Sequence, residues 1–191
     1  MRAQMVAYTM TLVVVIAGAG AGSAQDGLAG HWSFDDAQGL IAQDASPHVL
    51  DAEVVNALWA RGPFGTALHF SGNNSYVVAP PVPGIDGSDT LTLSAWVYWE
   101  GTGQYPNIIT GGRWSPGGFL IFVSNDTCSF RIGRPDRGAG DPRGGWTEGG
   151  APLVPKIEFG RWYHLAATLN RPTITTYVDG AQVATAQWDY P

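Results

Sequence analysis

The stretch Thr90-Leu91-Thr92-Leu93-Ser94-Ala95-Trp96-Val97-Tyr98-Trp99 repeats its chemistry every second residue. Leu91, Leu93, Ala95, Val97 and Trp99 fall on one side of an extended chain, and Thr92, Ser94, Trp96 and Tyr98 on the other. Successive side chains of a strand point to opposite faces, so this period of two specifies a β-strand rather than a helix. Both sides carry large groups, which predicts a strand that is covered on both faces or lines a groove on one. The same alternation spreads outward to His31–Phe34, Glu53–Leu58, Ala67–Phe70, Tyr76–Ala79, Asn107–Thr110, Phe119–Ser124, Cys128–Ile132, Trp162–Leu169 and Thr173–Val178. Between them lie turn-forming clusters, among them Gly72-Asn73-Asn74, Pro80 to Gly84 and Ser115 to Gly118. Asp179-Gly180, flanked by Tyr177-Val178 and Val183, is a hairpin signal, because Asp-Gly suits the positive-φ turn that matches strand twist.

Composition agrees. The chain has 191 residues, with 14 % charged residues against 26 Gly, 13 Pro and 8 Trp, a balance that favours strands and turns over helices. Hydrophobic residues make up 45 %, enough for a packed core. A net charge of −6 excludes nucleic acid and anionic membrane as natural partners, since both would repel the chain. The single cysteine, Cys128, rules out an internal disulfide, a zinc cluster and a CxxC redox pair, and reads as a small buried apolar residue.

Residues Met1 to Ala24 read as an export signal. Arg2 supplies the positive start, Val6 to Ala17 is uncharged and apolar, and Gly18 to Ala24 is a run of small residues. Cleavage after Ala24 places Gly22 and Ala24 at the two positions that must be small. The apolar run is short for a membrane span, and no basic cluster follows it; a retained N-terminal anchor is the alternative. The expected organisation is a signal over 1–24 and one domain over 25–191, secreted, at the cell surface or periplasmic, with no membrane insertion after cleavage.

Many short antiparallel strands without helices imply a sandwich or barrel. Arg134 to Pro155, rich in Gly, Pro and Arg, breaks the rhythm and predicts an extended surface loop. Several stretches together carry a resemblance. They are His31-Trp32-Ser33-Phe34-Asp35 with Asp44-Ala45-Ser46; Gly62 to Gly72 followed by Tyr76-Val77; Thr90 to Val97; and Gly160-Arg161-Trp162-Tyr163-His164-Leu165-Ala166 with Tyr177-Val178-Asp179-Gly180. In order and spacing these resemble the motifs of LamG-like domains of the concanavalin A-like lectin/glucanase superfamily. The resemblance implies an all-β jelly-roll β-sandwich of two antiparallel sheets. Gly62, Gly65 and Gly72 would then supply turn geometry, and Trp32, Trp96 and Trp162 would be large anchors between the sheets. Members usually continue past the Tyr-Val-Asp-Gly hairpin, whereas this chain stops at Pro191. That departure predicts a fragment lacking its C-terminal strands, with further domains of the same polypeptide downstream.

The superfamily includes glycoside hydrolases, whose retaining members need two carboxylates roughly 5 Å apart. Asp35 and Asp36 are adjacent and would face opposite ways on a strand. Asp51 and Glu53 lack the context of a catalytic strand, and Glu100, Glu148 and Glu158 stand alone. His31, His48, His69 and His164 are scattered without ligand spacing, with His69 and His164 reading as structural. The expectation is a domain with no catalytic residues. Calcium is the cofactor the turns would suit, with Asp35, Asp44, Asn73 and Asn74 as candidate ligands, although Asp and Asn also shape turns with no metal. Arg113, Trp114 and Trp146, in or beside Gly-rich loops, are the candidate ligand-binding residues. The function expected is carbohydrate binding or adhesion, with a glycan or an extracellular protein as partner. A protein-interaction or structural spacer module is the alternative, and a hydrolase of the same fold the third.

Overall fold

The computed structural model describes residues 8–15, 27–72, 74–85, 88–100, 106–112, 118–124, 127–133, 152–154 and 156–188. Its strands, in chain order, are β1 (Tyr8–Val15), β2 (Gly30–Trp32), β3 (Ile41–Ala42), β4 (Ala52–Val55), β5 (Ala57–Gly62), β6 (Gly65–Phe70), β7 (Tyr76–Val78), β8 (Thr90–Trp99), β9 (Asn107–Gly111), β10 (Phe119–Ser124), β11 (Thr127–Ile132), β12 (Pro152–Val154), β13 (Trp162–Asn170), β14 (Thr173–Val178) and β15 (Ala181–Gln187). Among the described residues there is no helix, and every strand pairing is antiparallel.

An eight-stranded sheet runs in the order β15-β14-β13-β8-β1-β6-β5, with β2 also paired to β1. The remaining strands form a four-stranded sheet, β12-β11-β10-β9, and a three-stranded one, β3-β4-β7. The all-β architecture of several antiparallel sheets is that of the expected jelly-roll sandwich, with three hydrogen-bonded sheets in place of two. All contribute to one apolar core: Leu93, Ala95, Val97, Trp99, Tyr163 and Leu165 from the large sheet, Ile121, Cys128 and Phe130 from the four-stranded sheet, and Ala42, Ala52 and Val54 from the three-stranded one. The alternation first seen at Thr90–Trp99 is kept to the residue. Its core side is buried from Leu91 to Trp99, and its other side is only half-buried. β13 repeats the pattern in register, with Trp162 opposite Tyr98 and His164 opposite Trp96.

Local chemistry explains where strands stop. The single strand expected over Glu53–Leu58 is two, because Asn56 takes φ 53° and sends the chain from the three-stranded sheet into the large one. At the β5–β6 turn, Gly62 and Gly65 face each other across Pro63-Phe64. Gly65 needs its φ of 121°, and a Cβ there would stand 2.3 Å from Asp35 Oδ1. Gly62 is required for room instead, since a Cβ would meet the Thr66 carbonyl oxygen at 2.7 Å. The Asp179-Gly180 turn has φ values of 51° and 81° and joins β14 to β15, as its sequence predicts.

Two expectations are corrected. Trp96 and Trp162 are not anchors between sheets: both are half-buried on the outer face, and the large core rings are Trp32, Trp99, Phe34 and Phe130. The reason is register, because Trp96 and Trp162 occupy the positions that alternate with the core residues of β8 and β13. Pro152–Val154, expected as loop, pairs with β11 at Cys128 and Ser129. Separately, Tyr8–Val15, inside the stretch read as an export signal, pairs as β1 in the interior of the large sheet, which does not bear on whether that stretch is cleaved. Its Thr and Val residues are strong strand formers, and the pairing is that of the uncut chain.

Candidate functional site

The outer face of the large sheet carries a strip of rings. Trp96 and Tyr98 of β8 lie beside His164 and Trp162 of β13, so the register makes a two-by-two array. Trp96 and His164 have ring centroids 5.1 Å apart and tilted by 43°; Tyr98 and Trp162 are 5.4 Å apart at 51°. Phe64, at the tip of the β5–β6 turn and 75 % exposed, meets Trp96 edge-on at 5.1 Å. That glycine turn therefore adds a fifth ring to the strip.

Polar groups border it. His69 Nε2 lies 3.2 Å from Glu100 Oε2, beyond the Tyr98 end. Arg161 pairs with Asp179 and sits over the Tyr163 ring at 4.6 Å. Asp179 Oδ1 accepts the His164 backbone N–H at 2.9 Å, and the Asp179 N–H donates to the His164 carbonyl at 2.8 Å. The hairpin turn thus fixes the strand position that carries the His164 ring. Chemically, the strip offers flat apolar faces together with the hydrogen-bonding edges of Trp, Tyr and His, on a rigid sheet.

A second feature is an open cavity of about 600 Å³ lined by residues of the 33–45 segment, including Asp35, Asp36, Gln43 and Asp44. Asp44 is its buried node. Asp44 Oδ1 accepts the N–H groups of His31 (2.7 Å) and Ser46 (2.9 Å); Oδ2 accepts Ser46 Oγ–H (2.6 Å) and the Leu50 N–H (2.8 Å). Burial alone would raise its carboxyl, but the Ser46 hydroxyl and the backbone donors of His31, Leu50 and Ser46 outweigh this and hold it below the usual carboxylate range. Asp35 Oδ1 accepts the Thr66 N–H at 3.0 Å.

Of the four candidate calcium ligands, Asp35 and Asp44 therefore share one cavity. Asn74 belongs to another turn, where its carbonyl accepts Asn56 Nδ2–H at 2.9 Å, and Asn73 lies outside the described residues. Asp44 spends both oxygens on four donors, so a cation there would have to displace N–H and O–H groups already in place. No group of three or more His, Cys, Asp or Glu side chains suited to an ion occurs among the described residues. The candidate binding residues Arg113, Trp114 and Trp146 also lie outside the described residues. The ring strip escaped the sequence reading, although its signal was present: Trp96 and Tyr98 sit off the core face of β8, and Trp162 and His164 bracket the core residue Tyr163.

Residues 71–190 match the laminin G family model of the concanavalin A-like lectin/glucanases superfamily. The chain belongs to this superfamily. The match spans more than half of the sequence and includes β8, β13 and the β14–β15 hairpin. The motifs at 31–35, 44–46 and most of 62–72 precede it. No curated protein and no solved structure matches the chain. Laminin G-like domains are usually non-catalytic modules that bind glycans or extracellular proteins and are typically extracellular, while the superfamily also includes glycosidases. Among the described residues, no helix is long and apolar enough to cross a membrane.

Proposed function

We propose that this laminin G-like domain is an exported, non-catalytic binding module whose ligand is carbohydrate, taken on the ring strip of Phe64, Trp96, Tyr98, Trp162 and His164. One observation carries the reading: the outward positions of the two adjacent strands β8 and β13 hold four rings in register. Rings on a sheet lose little freedom on binding, and their faces suit the C–H surfaces of a sugar, while Trp, Tyr and His edges can bond hydroxyls. The two acids at its border support a binding role over hydrolysis, since Glu100 is engaged by His69 and Asp179 by Arg161.

Screening the full chain against a glycan array, followed by titration calorimetry on the best ligand, tests this. Trp96→Ala and Trp162→Ala should each weaken binding by about tenfold or more, with no release of reducing ends from the bound polysaccharide. Trp114→Ala and Trp146→Ala test the loop reading in the same assay. Binding abolished by the loop variants but untouched by Trp96→Ala would remove the strip as the site.

A second reading, protein interaction, is favoured by a different surface. On the three-stranded sheet, exposed Ile41 and Val78 flank Glu53 in register, with exposed Leu40 and Tyr76 nearby in sequence. Such an apolar patch is the mark of a protein contact. Binding to an extracellular protein that is lost on Ile41→Ser with Val78→Ser, and kept on Trp96→Ala, would identify it.

A further inference from the structure

Four strands of the large sheet, β8, β13, β14 and β15, contain no Lys, Arg, Asp or Glu. They are neighbours in the sheet, and their registers bring the outward positions into rows. Thr92, Thr168, Thr175 and Thr185 form one row across all four strands; Thr90, Asn170, Thr173 and Gln187 form the next. Ser94, Ala166, Tyr177 and Gln182 make a third, between the threonines and the rings of Trp96 and His164. Every one of these side chains is half-buried or exposed. Threonine suits strands and pairs well across them, which accounts for it at single positions. It does not account for the loss of every charge from a face turned to water, where charges commonly keep a sheet soluble and guard an end strand such as β15.

Strand spacing gives the face its size. The rows from Thr90 to Tyr98 cover about 27 Å along the strands and about 14 Å across them. Rings stand at one end, in the rows of Trp96 with His164 and Tyr98 with Trp162, and hydroxyls and amides at the other. Ser94 and Ala166 keep the seam between β8 and β13 low where the two halves meet. Within the polar half, Thr168 Oγ1–H donates to the Thr175 carbonyl at 3.4 Å, and Gln187 Nε2–H donates to Thr173 Oγ1 at 3.4 Å. The hydroxyls of Thr92, Thr175 and Thr185 have no such partner among the described residues. The charges bordering the face are engaged with one another. Arg171 pairs with Asp89 at 3.3 Å beside the Thr90–Asn170 row, and Arg161 with Asp179 and His69 with Glu100 toward the rings.

We propose that this face is a track for an extended, uncharged polysaccharide, held at internal sugars by the rings at one end and by the threonine rows at the other. The inference rests on the carbohydrate reading above and names the class of glycan. An acidic glycan would find no cation among the side chains of the four strands other than a protonated His164. A single terminal sugar would need only the ring end. A run of neutral sugars instead presents C–H faces and hydroxyls along its whole length, which the rings and then the Thr, Asn and Gln side chains can meet in turn. Each further sugar adds a weak contact to a chain already held, so affinity builds with length.

The test titrates the full chain with size-graded cello-, xylo-, manno- and laminari-oligosaccharides, with heparin as the acidic comparison. For the series that binds, affinity should rise by about tenfold or more from disaccharide to hexasaccharide, and it should be insensitive to added salt. Thr92→Val with Thr175→Val keeps strand propensity while deleting two hydroxyls. It should weaken the hexasaccharide by about fivefold or more and leave the disaccharide unchanged. Thr92→Ser with Thr175→Ser, which keeps the hydroxyls, should hold the hexasaccharide as the parent does. Equal affinity for short and long chains, or a hexasaccharide indifferent to the valine pair, would overturn the track while leaving carbohydrate binding on the rings intact. Preference for heparin that fades with salt would overturn the neutral class. Self-association of the free chain, abolished by the valine pair, would give the face to a second copy instead. Failure of every glycan to bind would remove the carbohydrate reading and the track together.

Discussion

At Asp44 four donors converge on one carboxylate that is only 7 % exposed. An amide in its place has one oxygen and would turn an NH₂ group toward donors. Asp44→Asn should therefore cost about 1–3 kcal/mol of unfolding free energy at neutral pH, read from urea denaturation. Because folding holds this carboxyl below its usual range, its contribution is in full above about pH 3.9, the ordinary Asp value. It is lost as pH falls through the lower folded value. The gap between parent and variant should accordingly narrow below about pH 4. Cys128 shows the opposite case. Full burial pushes its thiol well above the ordinary range with only a backbone hydrogen bond from Ser129 to offset it. The native protein should leave a thiol reagent such as DTNB unreacted at pH 8, with one equivalent of thiol appearing on unfolding.

At the scale of elements, the turns decide which side chains reach the outer face. Gly65 and Gly39 both take positive φ, yet a Cβ at Gly39 meets nothing within 4 Å, whereas one at Gly65 collides with Asp35. Gly39→Ala should cost about 1 kcal/mol, from backbone strain alone. Gly65→Ala should cost clearly more, since it also displaces the carboxylate that accepts the Thr66 N–H. The second substitution should in addition disturb Phe64, one residue away, and so weaken ligand binding on the strip. Thermal unfolding of the two variants, compared side by side, checks the order. Turn identity was legible in the residues themselves, as Asp179-Gly180 and the Gly62–Gly65 pair show. The break at Asn56 was not, because a positive-φ Asn inside an apolar run leaves the alternation on either side looking continuous.

For the whole molecule, two tryptophans three residues apart on one strand separate stability from function. Trp99 is fully buried in the core shared by the three sheets, and Trp96 lies on the opposite side of the same strand. Trp99→Ala should destabilise by about 3–5 kcal/mol through the cavity it leaves. Trp96→Ala should cost less than about 2 kcal/mol in stability while removing most glycan affinity; calorimetric unfolding and binding titrations on both variants measure the split. The sequence by itself determined the all-β class, the strands of the family motifs, the hairpin turns and which residues of β8 share a face, while which of its two faces is the core was left to the structure. All of these follow from period-two spacing and from φ preferences that act within a few residues. Only the tertiary structure decided that Trp96, Tyr98, Trp162, His164 and Phe64 meet, that the second layer is split into two sheets, and that Tyr8–Val15 lies between β8 and β6. Those depend on strand order and register, set by backbone pairing between segments far apart in the chain, which local spacing does not encode.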